Sequence, residues 1–130
     1  MSVVVAGGCS RTPPEQALRE TISAMEEAAE ARDSAGLVEH FAEDFAGPGG
    51  MDRERFRRYL ALIWLRNREV GVTLGPLDVE LVGADRARVR FTAAARGGGR
   101  WLPERAEVYQ VNTGWRLEDD DWKLISADWE

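Results

Sequence analysis

His40, the one histidine of this chain, stands four residues before an acid, Asp44. On a helix that spacing puts both side chains on one face. An imidazole and a carboxylate so placed can act as a general acid–base pair. The plainer reading is a surface pair, or an Asp44 that fixes the turn after it. Nothing else assembles a catalytic set. Ser34 and Ser126 carry no nucleophile signature, and one histidine would have to serve every scheme. Gly97-Gly98-Gly99 lacks the lysine and helix start of a phosphate loop. A single histidine leaves no His-pair zinc site and a single cysteine no internal disulfide, so neither metal nor cofactor is expected.

A second group of residues suits binding. Four of the five tryptophans follow residue 100. Tyr109 and Trp115 are an even number of positions apart, so they share one strand face. Tyr59 and Trp64, on a helix, can face them. Core packing is the plain reading of these four. A buried indole N–H or phenol O–H needs a partner, so the functional reading is an apolar pocket with polar tips. Trp129 either seals the sheet edge or joins a dimer face.

The only cysteine, Cys9, follows Ala6-Gly7-Gly8. Small residues before a cysteine match the end of a bacterial lipoprotein signal, although Ala6 stands where a larger apolar residue is usual. Residues 1–6 supply neither the basic start nor the roughly 7–15 apolar residues of an export signal. The expectation is therefore a shortened start. Residues 1–12 would be the remnant of a lipoprotein signal plus a short tether, and residues 13–130 the domain, facing the periplasm from a lipid on Cys9. Otherwise the segment is a cytoplasmic tail. A flexible terminus offers no fixed base to activate a thiol.

Composition narrows the classes further. A chain of 130 residues suits one domain, and at this size roughly two-thirds of the unfolded surface is buried. A net charge of −6 repels a phosphate backbone, so no nucleic acid partner is expected. No apolar run reaches the roughly 18 residues of a membrane-spanning helix. Membrane contact is expected only through a lipid on Cys9.

The elements that must position these residues follow from periodicity. Thr12-Pro13-Pro14-Glu15 reads as a capping box opening a first helix, with Leu18, Ile22, Met25 and Ala29 inward through about Arg32. Asp33 or Ser34 caps a second helix carrying Leu37, Phe41 and Phe45 on one face and ending at Gly47-Pro48-Gly49-Gly50. Asp52 caps a third, with Phe56, Leu60, Ile63 and Trp64 inward, a Met51–Phe56 staple, and arginines on the outer turns read as a solvated face. After Asn67 the pattern alternates. Val70, Val72 and Leu74 are followed, across Gly75-Pro76, by Leu77, Val79 and Leu81 with shifted parity, as at a bulge. Strands follow over 87–95, about 104–118 and 122–129, with turns at Gly83-Ala84-Asp85 and Asp119-Asp120-Asp121. Three helices before a meander of about four long antiparallel strands make an α+β domain with a strongly bent sheet.

Phe41-Ala42-Glu43-Asp44-Phe45, Gly114-Trp115-Arg116 and Asp121-Trp122-Lys123-Leu124 resemble stretches of the NTF2-like superfamily, which includes SnoaL-like and ketosteroid-isomerase-like proteins. The resemblance spans residues 14–130 and implies a cone, with helices across the concave face of a bent sheet and often a pocket at the open end. The string CSRTPPEQ before such a domain also resembles small bacterial NTF2-like lipoproteins. Isomerase-like members place an acidic base just after the second helix, where this chain has Phe45-Ala46-Gly47-Pro48-Gly49 and no carboxylate. Its first helix also lacks their tyrosine. Dehydratase-like members use more than one histidine. Epoxide-hydrolase-like members use an Asp-Arg-Asp cluster, a role that the resemblance would give to Asp78, Arg90 and Asp128, but strand alternation against Val89 and Phe91 sends Arg90 to the outer face. The expectation is thus a non-enzymatic binding or interaction domain. It would hold a small apolar ligand against Tyr59, Trp64, Tyr109 and Trp115, or form a homodimer through the sheet. The alternative is a SnoaL-like isomerase, cyclase or hydrolase acting on a small hydrophobic substrate with His40 and Asp44.

Overall fold

Leu18 and Ile22 sit one turn apart on an inward stripe, and both are buried. They belong to helix α1, Pro14–Glu30, in a computed structural model that describes residues 12–66, 71–96 and 106–130. Cys9, the switch near Asn67, Val70, the Gly97-Gly98-Gly99 loop and the expected strand start near Glu104 lie outside the described residues. The capping box does not form. Pro13 is the N-cap and no side chain bonds the first turn. Glu15 instead accepts a hydrogen bond from Arg19 one turn on, at 2.9 Å. Asp33 does cap the next helix, its Oδ1 accepting from the Gly36 N–H at 2.9 Å.

That second helix, α2, is only Ser34–Val38. The expected continuation through Phe41 and Phe45 is instead strand β1, Phe41–Ala46. Two interactions outweigh the helical pattern. The backbone joins the sheet: His40 C=O accepts from the Leu124 N–H at 2.9 Å, and Phe41 pairs in register with Leu124. The rings are also better buried this way. Phe41, Phe45 and Phe56 form a mutual cluster with centroids 4.5 to 5.6 Å apart. The Gly47 to Gly50 turn follows, with Gly49 and Gly50 at φ 69° and 78°, a left-handed region that glycine enters without strain. Helix α3, Arg53–Arg66, starts where expected, with Asp52 Oδ1 accepting from the Arg55 N–H at 2.8 Å.

Among the described residues the sheet has six strands rather than four. The expected first strand is broken at Gly75-Pro76 into β2, Gly71–Leu74, and β3, Asp78–Leu81. Both pair with β4, Arg86–Arg96, Leu74 opposite Ala93 and Val79 opposite Val89. The inward parity changes from even to odd across the break, as a bulge requires. Strand β4 pairs along its length with β5, Ala106–Glu118, and β5 with β6, Asp121–Trp129. The β5–β6 hairpin turns on Asp119 and Asp120, both at positive φ, which matches the right-handed strand twist. The order is β1-β6-β5-β4-β2, with β3 also on β4. Because β1 runs parallel to β6, the sheet is mixed and not wholly antiparallel. The helices cover its inner face around a core of Leu18, Ile22, Phe41, Phe45, Phe56, Val89, Trp115 and Trp122. This is the expected α+β class, a curled sheet packed, among the described residues, by three α-helices.

Candidate functional site

Trp115 and Tyr109 lie on the inner face of β5, opposite Ala87 and Ala93, as their shared parity predicts. Trp115 lies within the core at 2% exposure. Its indole N–H donates to Thr113 Oγ1 at 2.8 Å, and the Thr113 hydroxyl donates to the Val89 carbonyl at 2.7 Å. The polar tip of Trp115 is thereby consumed inside the protein. Trp122 is likewise sealed, its N–H donating to the Pro14 carbonyl at 3.1 Å and fastening the start of α1 to β6. Trp64 and Tyr109 are half-buried.

The other expected binding residue, Tyr59, takes a different position. It meets Phe56 edge-on at 6.2 Å, and Phe56 meets Trp129 edge-on at 6.1 Å. Tyr59 is 43% exposed and Trp129 37%. The three rings form an aromatic rim whose centre is buried and whose ends reach solvent. In the sheet, Trp129 stands opposite Val111, and Val111 opposite Phe91. An apolar wall therefore runs inward from the rim. Tyr59 and Trp115 are not brought together: one is on the rim and the other is core.

His40 and Asp44 do not share a helical face, because β1 replaces the helix there. A strand advances about 3.3 Å per residue, which carries them apart. The Asp44 carboxylate is held by Arg116, with Nη2 donating to Oδ1 at 2.7 Å and Nη1 to Oδ2 at 3.2 Å. These bonds from Arg116 hold the Asp44 carboxyl below the usual carboxylate range. Arg116 Nε also donates to Glu118 at 2.7 Å. Its guanidinium, paired with two carboxylates, is held above its ordinary value. His40 is half-buried, and burial lowers its basicity, with Glu39 opposing and Lys123 adding to the effect. Asp44 and Arg116 line a polar cleft of about 350 Å³ with Glu39, Glu43, Arg53 and Lys123. An acid tied to an arginine and a histidine facing other neighbours do not make a proton-transfer pair.

The imagined Asp78–Arg90–Asp128 cluster takes its predicted outer position. Arg90 pairs with Asp78 at 3.3 Å, both side chains more than half exposed. Among the described residues no group of three or more histidines, cysteines or acids is placed to hold a metal ion.

Three residues of consequence escaped the sequence reading. Thr113 shares parity with Trp115, two positions away, and that spacing was a usable signal for the bond. Trp129 was assigned to an edge or a dimer face rather than to contact with Phe56. The Asp44–Arg116 pair joins residues 72 apart, and nothing local marks it.

Among solved structures, the chain is similar to an NTF2-like protein of unknown function from Pseudomonas putida KT2440, at 16% identity and a TM-score of 0.77, over 90% of this chain and 85% of that one. It is similar to a provisionally named dehydratase of the NTF2-like family from Streptomyces avermitilis, at 23% identity and a TM-score of 0.74, over 90% and 96% of the two chains. It also resembles an NTF2-like protein with a cystatin-like fold from Novosphingobium aromaticivorans, at 18% identity and a TM-score of 0.70, over 88% and 79%. No protein-family model and no curated protein matches the chain. The chain has the NTF2-like, cystatin-like fold, and at these identities the likeness speaks to the fold alone.

Proposed function

We propose that the protein is a non-enzymatic binding domain for a small apolar ligand, which rests on the aromatic rim of Tyr59, Phe56 and Trp129. Tyr109, the next inward position of β5 beyond Val111, extends the contact, whereas Trp64 points about 140° around α3 from Tyr59 and stands apart from the rim. One observation carries this reading: the two rim rings are left half exposed while Trp115 and Trp122 are sealed, with their N–H groups satisfied. Aromatic rings buried at one end and wet at the other suit ligands with an apolar body. The separate engagements of His40 and Asp44 support binding over catalysis.

The uncharged fluorophore N-phenyl-1-naphthylamine tests the proposal. We expect saturable, one-to-one binding, weakened at least roughly tenfold by Trp129→Ala and by Tyr59→Ala, as for other aromatic anchors. Absence of saturation, or equal affinity of the variants, overturns it. Lipidation of Cys9, periplasmic placement and dimerisation through the outer sheet face belong to the same proposal. The spacing of Ala6-Gly7-Gly8-Cys9 supports the first two. A shallow outer groove of about 380 Å³, lined in part by Arg88, Asn112, Gly114, Ile125 and Asp128, supports the third. Native mass spectrometry of protein from its own host reads acylation and oligomer together. An unmodified Cys9 behind a retained Met1 overturns the anchoring, and a monomer overturns the dimer.

A further inference from the structure

Helix α3 carries Arg53, Arg55, Arg57, Arg58 and Arg66 against one acid, Glu54. It therefore carries a net charge of +4 within a chain of net −6, and the remainder of the chain carries a net charge of −10. Glu54 pairs with Arg57. Arg55, Arg58 and Arg66 form no ion pair among the described residues. Only Glu54, one turn before Arg58, is close enough among the described acids to feel the charge of one of them.

Their placement is not scattered. At 100° per residue, Leu65, Arg58, Leu62, Arg55 and Arg66 fall in one arc of about 100°. All five are exposed, Leu62 at 49% and Leu65 at 74%. The opposite side of the helix holds buried Phe56 with half-buried Leu60, Ile63 and Trp64. The arc thus presents two separate leucines framed by three arginines, and the one acid of the helix, Glu54, stands at its edge paired with Arg57.

We infer that this outer arc of α3 docks on an anionic lipid surface, independently of the aromatic rim and of any lipid on Cys9. The arrangement suits an interface that is apolar below and negatively charged above: leucines enter the acyl boundary while arginines stay at the headgroups. A second copy fits poorly. A two-fold contact would set the arginines of one copy against those of the other. Two leucines on a convex ridge also fall far short of the roughly 1,200 Å² that a stable dimer buries. The acidic remainder of the chain does not forbid docking. Beyond about 8 Å its charge is screened at physiological salt, and its repulsion turns the basic helix toward the membrane.

The test is vesicle co-sedimentation of the full chain carrying Cys9→Ser, which removes lipidation as a source of binding. Phosphatidylcholine vesicles containing phosphatidylglycerol should bind the protein at low salt and release it at molar salt. Vesicles of phosphatidylcholine alone should not bind it. Each arginine near an anionic surface contributes a factor of about five, equivalent to ~1 kcal/mol. The triple variant Arg55→Gln, Arg58→Gln, Arg66→Gln should then lose roughly a hundredfold in partitioning while circular dichroism and melting stay unchanged. The pair Leu62→Ser, Leu65→Ser should weaken binding to the same vesicles. Equal binding to both vesicle types, or no effect of the variants, overturns the inference. So does absent vesicle binding, whether accompanied by a dimer that Leu65→Ser dissociates or by retention on polyglutamate. Those last two results would assign the face to a second copy or to an acidic protein.

Discussion

Replacing Thr113 by valine keeps the shape of the side chain and removes the acceptor of the Trp115 indole N–H. Both residues are buried, so water cannot take the place of the hydroxyl. A buried donor left without a partner costs about 1–3 kcal/mol. The Val89 carbonyl also loses the hydroxyl that now reaches it at 2.7 Å. Against this, valine relieves the desolvation of a buried hydroxyl, so the net loss should be about 2 kcal/mol. With a urea m-value of about 2 kcal/mol/M for a domain of this size, the unfolding midpoint should fall by about 1 M at unchanged m. The decisive comparison is the same substitution in a Trp115→Phe background. There the stranded donor no longer exists, and Thr113→Val should cost less than half as much. The difference, about 1 kcal/mol of coupling, isolates the indole–hydroxyl bond. Equal midpoint shifts in the two backgrounds would refute the claim that the Trp115 N–H is committed internally. The indole would then be free to serve a ligand, and Trp115 would return to the binding site.

Two further perturbations follow from the polar edge of the sheet. Burial lowers the basicity of His40, so the folded state binds fewer protons than the unfolded chain. Stability should therefore be full above about pH 6.5, the unfolded histidine value, and fall as pH drops toward the folded pKa. His40→Asn should flatten that part of a denaturation-versus-pH curve, and an unchanged slope would contradict the assignment. Asp44 shifts downward because Arg116 bonds its charged form, so its contribution persists until pH falls below the carboxylate range. Asp44→Asn should speed amide exchange in β1 near Phe45 and Ala46 at neutral pH while exchange in β4 and β5 stays slow. Uniform acceleration across the sheet would show that the pair supports the whole fold and not the edge strand.

The legible parts of the fold were those in which one local rule governed. The inward stripe of α1, the Asp52 cap of α3, the bulge at Gly75-Pro76 and the Asp119-Asp120 turn each depend on neighbours in sequence. Strand β1 was illegible because its pattern is ambiguous. Phe41 and Phe45 are four apart, as on a helix, and both are buried in the strand as well. Pairing with β6, more than 70 residues away, decided the matter. The same misreading produced the His40–Asp44 pair. A helix would have stacked them, whereas the strand gives Asp44 to Arg116. For the aromatics, parity placed Tyr109 and Trp115 on the correct face but carried no information on depth. Thr113 is what makes burial of the indole affordable, and its role appears only when the strand is seen packed.

Helix α3 joins these observations to the two proposals. In fourteen residues it points a buried ring inward at Phe56, a half-exposed ring along the rim at Tyr59, and leucines outward at Leu62 and Leu65. Packing needs only the first of these directions. A helix serving the core alone would carry polar residues on its remaining arc, because exposed leucines gain nothing from folding. Nor, in a chain with 23 acids, need Arg55, Arg58 and Arg66 lack an ion pair among the described residues. The cost of presenting both features to water is understandable if other molecules meet the helix there: a ligand across the rim and a lipid surface along the outer arc. The two contacts separate cleanly by substitution. Trp129→Ala should weaken fluorophore binding and leave vesicle binding intact, and the arginine variants should do the reverse. If either set of variants weakened both, rim and arc would be one surface with one partner.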